Sequence, residues 1–293
     1  MLYNISMSEH VESNPTLSVI NQRFNEGSLP PQRTDDFSVS ALFEGGAMGS
    51  IVVAAEAATT CFLQRHKTFD RLSGTSSGGI IAMCVATGQA DDMVKVFLEK
   101  VPSPKFINLR RVLRGNIADI NYLVDDILAG DPCIEWEGVR DSKIPVNVIA
   151  RSAVTKESVI FSDFNSREDV FGSLKAAVWM PRIAGWRPHV HNGHPYWDHM
   201  SNGLEVVAAQ NPTHIIIFRG NDKKLKYPRS VLKSDVEIEE IRPSKTIRRL
   251  EKRQRVLKNA VKIGALTTLE AFEPTKEEVD LVRERFDYLG VAI

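Results

Sequence analysis

The stretch LSGTSSGG, residues 72–79, follows a short apolar run and precedes an alanine-rich apolar run. Gly74, Ser76 and Gly78 fit the G-x-S-x-G pattern of a nucleophile elbow, in which a serine sits on a tight strand-to-helix turn. The two glycines remove side chains that would collide in such a turn. The start of the helix supplies N–H groups and a positive dipole near a developing negative charge. The pattern therefore favours a nucleophilic Ser76, rather than Ser77, over a plain glycine-rich loop.

The segments around the elbow alternate between strand-like and buried-helix patterns. FSVSALF (37–43) is β-prone, and the apolar, alanine-rich run 50–66 predicts a buried helix. TFDRLSG (68–74) predicts a second strand, and GIIAMCVATG (79–88) a second helix. Further strands are predicted at IPVNVIARSA, ESVIFSDF and THIIIFRG, with a hairpin at Asn192-Gly193. This order predicts an α/β fold, with a sheet covered by helices.

The two ends of the chain differ from this middle part. Residues 1–36 are polar and show no sustained period, so we predict an irregular arm. Residues 37–235 carry the α/β pattern and predict the main domain. Residues 236–293 are highly charged and predict a helical extension packed on that domain, and residues 105–140 also read as amphipathic helix.

Composition excludes some classes of function. Lysine plus arginine balance aspartate plus glutamate at 37 each, so no overall field favours nucleic acid. Three cysteines, Cys61, Cys84 and Cys133, without close pairing suit a reducing compartment, and we expect a cytoplasmic protein. The sequence contains no window of 18 uninterrupted apolar residues, so we predict no membrane span.

The segment 242–262 is an exception to the overall neutrality, with nine basic residues and one acidic residue. Its apolar residues recur at roughly helical spacing: Ile247, Leu250, Leu257 and Val261. Such a helix can lie peripherally on an anionic membrane. It can equally be a solvated helix whose apolar stripe packs on the domain, and the sequence favours this second interpretation.

The histidines between positions 189 and 199 have two interpretations. His189, His191, His194 and His199, with Asp198, resemble a zinc cluster, because alternate strand residues share a face. Hairpin histidines are more often solvated or packed, and nothing elsewhere offers an obvious further ligand. We therefore expect no metal site.

Two longer stretches are LFEGGAMGSIVVA (42–54) and FDRLSGTSSGGIIA (69–82). They resemble the glycine loop and the serine elbow of the patatin-like phospholipase family, especially of its bacterial branch. The similarity continues in the family's order to about residue 225, through IPVNVIARSAVTKESVIFSDF, LKAAVWMPRIAGWRPHVHNGHPYWDH and PTHIIIFRG. The resemblance implies a three-layer α/β/α fold with a central, mostly parallel sheet.

The resemblance also implies a site. Ser76 matches the family's nucleophile, and Asp198, at the end of the hairpin strand, matches the base that accepts its proton. Backbone N–H groups at Gly45, Gly46 and Ala47 match the oxyanion hole. The expected function is hydrolysis of lipid or other carboxylic esters through an acyl-enzyme, and this chemistry needs no cofactor.

Both loops depart from the family pattern. Ala47 replaces the third glycine, Gly49 the usual arginine and Ser50 the following glycine, while His199 adds bulk beside Asp198. These changes keep open a second class of function, a patatin-fold protein that binds lipid or a partner without turnover.

Overall fold

The computed structural model describes residues 14–130, 134–201, 203–227 and 235–293, so Cys133 and the first thirteen residues lie outside the described chain. A mixed β-sheet forms its centre. The sheet contains eight strands: β1 (Val39–Phe43), β2 (Arg71–Thr75), β3 (Val146–Ser152), β4 (Ser158–Phe161), β5 (His189–His191), β6 (His194–Asp198), β7 (His214–Phe218) and β8 (Glu237–Ile241).

The strand order is β5-β6-β3-β2-β1-β7-β8, with β4 also paired to β3. The five strands from β3 to β8 along this order are parallel. The antiparallel pairs are β3 with β4, β3 with β6, and the β5–β6 hairpin. Asn192 and Gly193 turn that hairpin with φ values of 50° and 78°, as the Asn-Gly signal predicts.

Helices cover both faces of the sheet. They are α1 (Pro15–Asn25), α2 (Ser50–Phe62), α3 (Ser77–Ala86), α4 (Ala90–Lys95), α5 (Trp136–Arg140), α6 (Arg167–Val178), α7 (Leu204–Ala208), α8 (Gln254–Phe272) and α9 (Lys276–Tyr288). None of the helices in the described ranges is long and apolar enough to span a membrane.

Alternation along the strands divides the core into two layers. In β1, Ala41 and Phe43 contribute to the larger apolar cluster, which α2, α3, α6 and α8 share. Leu42 points to the other face, where it joins Ile215, Ile217 and the residues of α7. Because successive strand residues face opposite sides, both faces of β1 are buried. The predicted three-layer α/β/α fold is confirmed.

The prediction of an irregular arm is wrong for Pro15–Asn25, which form α1. The Asn14 side chain caps the helix by accepting from Thr16 N–H at 2.9 Å. Arg23, 1% exposed, holds α1 on the domain because its guanidinium pairs with Asp35 at 2.6 Å and Asp70 at 2.7 Å. These ion pairs explain why the polar segment of α1 packs on the domain.

Two further predictions need correction. The segment 236–293 is not wholly helical, because β8 extends the sheet beside β7 before α8 and α9 begin; the predicted domain division at residue 235 stays a prediction. Residues 105–140 do not form one amphipathic α-helix, because the described part is divided into a 3₁₀ helix at Leu109–Arg114, a π-helical segment at Tyr122–Leu128 and the short α5. Some of the apolar residues there line a cavity, namely Phe106, Ile107, Ala118, Ile120 and Leu123, and others, such as Val124 and Leu128, lie in the core.

Candidate active site

Ser76 occupies the turn between β2 and α3. Its φ of 52° and ψ of −134° are unusual for a residue with a side chain, and such strain is typical of functional turns. At Gly78 a Cβ would collide with the carbonyl oxygen of Phe43, so the close approach of α3 to β1 requires glycine there. The sequence LSGTSSGG thus forms the strand–turn–helix that the pattern predicts.

Strand register brings Asp198 to Ser76. Thr75, the last residue of β2, lies opposite Ile149 of β3, while Asp198, the last residue of β6, lies opposite Ala150. Since β4 pairs with the other edge of β3, β2 and β6 meet end to end on one edge. Ser76 Oγ donates a hydrogen bond of 2.6 Å to Asp198 Oδ2.

Asp198 is 3% exposed, and its backbone N–H donates to Trp179 O at 3.0 Å. Burial raises the pKa of Asp198 from 3.8 to about 7, although the hydrogen bond from Ser76 and the charge of Arg249 act in the opposite direction. Asp198 Oδ1 has no hydrogen-bond partner among the described residues. The carboxyl group can therefore gain or lose a proton near neutral pH.

The glycine loop after β1 lies directly against the elbow. A Cβ on Gly45 would collide with the Ser76 side chain, so only glycine permits this approach. The N–H groups of Gly45 and Gly46 lie 3.4 Å from Thr75 Oγ1 and Ser77 Oγ. These are long hydrogen bonds, and a ligand oxygen can compete for them. Ala47 completes the loop with φ of 51°, a left-handed conformation that costs alanine more than glycine.

A buried ion network holds the loop from behind. Arg219 Nε lies 3.0 Å from Glu44 Oε2, and Arg219 Nη1 lies 2.6 Å from Glu240 Oε2. All three side chains are largely buried, so removal of one would leave an unpaired buried charge. Glu44 precedes Gly45, and the network therefore fixes the start of the loop.

Sequence reasoning missed Arg249 as a site residue. It comes from the loop before α8, and it lines both cavities beside Ser76. Its carbonyl oxygen accepts from Met48 N–H at 3.1 Å, which ties the glycine loop to the C-terminal segment. No carboxylate of the described residues pairs with its guanidinium within ion-pair distance. A basic group thus reaches the site even though Gly49 replaces the loop arginine.

Two cavities meet at Ser76. The first contains the glycine loop, Ser76 and Asp198, with His199, Met200 and Ser201 in its wall. The second is apolar and extends from Ser76 toward Leu250. Its lining includes Met48, Ile80, Met93, Phe97, Val101, Phe106, Ile107, Ala118, Ile120, Leu123, Val178, Met180 and Ile183. An ester carbonyl in the first cavity can extend an acyl chain into the second.

His189, His191 and His199 contact neighbouring side chains. His199 is held between Ser158 Oγ at 2.7 Å and Ser201 Oγ at 3.0 Å, while His189 lies near Trp179 and His191 near Phe161. Burial lowers the pKa of His189 to about 4. In the described ranges no group of three His, Cys, Asp or Glu residues is arranged to hold a metal ion.

The basic segment 242–262 is divided. The prediction of one helix over 242–262 is wrong for residues 242–253, because α8 begins only at Gln254. Ile247, Leu257 and Val261 are nevertheless buried, so the apolar residues pack on the domain, as the favoured interpretation expects. Leu250 alone among the four is exposed, and it lies at the mouth of the apolar cavity.

Fold and site together define an α/β protein whose serine elbow faces a buried aspartate beside an apolar cavity. The model of the patatin-like phospholipase family matches residues 42–285. The chain therefore belongs to the patatin-like phospholipase family.

Comparison with solved structures finds VipD from Legionella pneumophila. Sequence identity is 12% and the TM-score is 0.43, and the match covers 80% of this chain. It spans 66% of the VipD chain, a little under two thirds of its length. No curated protein sequence matches the chain.

Proposed function

We propose that the protein is a serine hydrolase that cleaves lipid or other carboxylic esters through Ser76 and Asp198. The observation that carries the proposal is the 2.6 Å hydrogen bond from Ser76 Oγ to Asp198 Oδ2 beside an apolar cavity. A serine hydroxyl is a weak nucleophile until a positioned base takes its proton, and Asp198 is the group in position to do so.

In the first half-reaction Ser76 Oγ attacks the ester carbonyl carbon, and its proton passes to Asp198. The N–H groups of Gly45, Gly46 and Ala47, with the start of α3, stabilise the negative oxygen of the tetrahedral intermediate. The intermediate collapses, and the leaving alcohol takes the proton from Asp198. The acyl group remains bound to Ser76.

In the second half-reaction a water molecule attacks the acyl carbonyl carbon while Asp198 accepts its proton. The new tetrahedral intermediate expels Ser76 Oγ, which recovers the proton, and a carboxylic acid leaves. The apolar cavity supports a lipid substrate, because it can shield an acyl chain from water. Neither step needs a metal or a cofactor.

A second candidate is a protein that binds lipid or a partner without turnover. The left-handed backbone of Ala47 supports it, because a distorted loop would weaken oxyanion binding. Hydrolysis of a short, water-soluble p-nitrophenyl ester separates the two candidates. Wild-type turnover that Ser76→Ala abolishes supports the hydrolase, and absence of turnover in folded wild-type protein supports the binding protein.

A further inference from the structure

An exposed apolar projection lies beside the apolar cavity. The chain leaves the domain after Ile107 and returns before Ala118, and the base is closed by a hydrogen bond from Asn108 N–H to Ile117 O at 2.9 Å. Between them lies the 3₁₀ helix Leu109–Arg114. Three of its residues are large, apolar and exposed, namely Leu109, Val112 and Leu113, and Leu113 is 91% exposed. Exposed apolar side chains grouped in this way mark an interaction surface.

Two residues from distant parts of the chain extend the projection. The Trp186 ring, 61% exposed, lies against Gly115, where any side chain would collide with it. Leu250 is exposed and lines the apolar cavity together with Ile107. We call these five side chains, Leu109, Val112, Leu113, Trp186 and Leu250, the apolar rim. Of the rim residues, Leu250 lines the cavity that begins at Ser76, so the rim lies beside that cavity.

Positive charge accompanies the rim. Residues 105–115 contain four basic residues and no acidic one, and one of the four, Arg111, pairs with Asp119 at 3.1 Å. Residues 248–253 contain four basic residues and one acidic residue. That acid, Glu251, is buried and neutralised by Arg253 at 2.7 Å. Lys252 Nζ lies 3.5 Å from Ile107 O, so the two basic stretches are neighbours. Arg110 and Arg248 are exposed. The chain as a whole has no net charge, so this is a local concentration.

We infer that the apolar rim is the surface by which the protein docks on an anionic lipid bilayer. Apolar side chains flanked by cations suit the boundary between acyl chains and anionic headgroups. The buried stripe of α8 excludes that helix as the inserting element, and it leaves residues 248–253 as the part of the basic segment that faces the bilayer. The purpose of docking rests on the proposed function, since the cavity would open toward the lipid, but binding itself does not require turnover.

The test uses the full chain with Ser76→Ala, which prevents hydrolysis of the lipid. Co-sedimentation is measured with vesicles of phosphatidylcholine alone and of phosphatidylcholine mixed with phosphatidylglycerol. Leu113→Ser should weaken binding to the mixed vesicles about tenfold, because one apolar side chain no longer leaves water. The matched control is Tyr288→Ser on α9, where an apolar residue 82% exposed lies outside the rim, and it should bind like the parent chain. Arg110→Gln with Arg248→Gln should remove most of the preference for anionic vesicles.

Hydrolysis of a soluble short-chain ester by Leu113→Ser, in the chain with Ser76 intact, should equal that of wild type and so shows that the variant folds. Equal vesicle binding by the parent, Leu113→Ser and Tyr288→Ser would overturn the inference, as would no binding by the parent. A dimer in light scattering that Leu113→Ser dissociates would assign the rim to a second copy of the chain instead. Failure of the proposed hydrolase is distinguishable, because it would abolish ester turnover and leave vesicle binding intact.

Discussion

Ser76 Oγ and Asp198 Oδ2 lie 2.6 Å apart, although 122 positions separate the two residues in the chain. Strand β3 places them, because β2 and β6 end next to each other on one of its edges. The pair is therefore built into the sheet and does not depend on a flexible loop. A rigid pair of this kind should behave as one functional unit.

Asp198→Asn should lower ester turnover by about 10² or more, since a general base is lost while the side-chain volume is kept. Ser76→Ala should abolish turnover, and the double variant should match Ser76→Ala alone, because residues that act as a unit give non-additive losses. Steady-state kinetics on a soluble ester check this, with circular dichroism to show that each variant folds. Wild-type activity in Asp198→Asn would move the base elsewhere.

The pH dependence of turnover should report Asp198. Its pKa is raised to about 7, and only the ionised form accepts a proton, so activity should rise with pH through about 7. Arg249 lowers this pKa by its charge; Arg249→Gln should therefore move the midpoint to higher pH. Arg248→Gln, which changes a neighbouring arginine outside both cavities, is the control and should leave the midpoint unchanged. A common midpoint for both variants would contradict this role of Arg249.

Stability should also depend on Asp198. The folded pKa of about 7 exceeds the ordinary 3.8, so the native state keeps a proton that the unfolded chain releases. The free energy of unfolding should consequently fall as pH rises from about 4 to 7. Asp198→Asn removes this penalty and should be more stable than wild type by about 1–3 kcal/mol at about pH 8, with little difference below about pH 4. Denaturant unfolding at both pH values checks it, and an unchanged difference between them would count against a raised pKa.

Ala47→Gly should relieve the left-handed backbone of the loop. Glycine removes the steric cost of the left-handed conformation, but it also gives the unfolded chain more conformational freedom. We expect the first effect to be larger, so the free energy of unfolding should rise by up to about 1 kcal/mol. Turnover should persist, because glycine keeps the backbone N–H group. Ala57→Gly in α2 is the matched control and should destabilise, since glycine disfavours helix. Urea unfolding compares the two, and equal destabilisation would show that Ala47 is not strained.

Local patterns in the sequence predicted the elements that local interactions determine. The elbow, the Asn192-Gly193 hairpin and the buried strands all follow from residues adjacent in the chain. Helix α1 escaped prediction because the buried charge of Arg23 is compensated by Asp70, which is distant in sequence. Strand β8 escaped prediction because its sequence, EIEEI, is acidic and does not alternate regularly, and it joins the sheet only by pairing with β7.

The site divides in the same way. The pattern around Ser76 was sufficient to single it out, whereas the resemblance to a family was needed for Asp198. Arg249 carries no local signal, since it stands in a run of basic residues that reads as a solvated surface. Only the packing of the loop before α8 against Met48 brings it to Ser76.

The most direct test of the central claim is covalent labelling with a fluorophosphonate probe, followed by mass spectrometry of the peptide that contains residues 72–79. The probe needs an activated serine and no knowledge of the substrate. We predict one adduct on Ser76, which Ser76→Ala abolishes. Ser77→Ala should keep the adduct, because Ser77 Oγ lies 2.7 Å from Ser50 Oγ, a hydroxyl group and not a base that could activate it. Absence of an adduct in folded wild-type protein, or an adduct that persists in Ser76→Ala, would contradict the account.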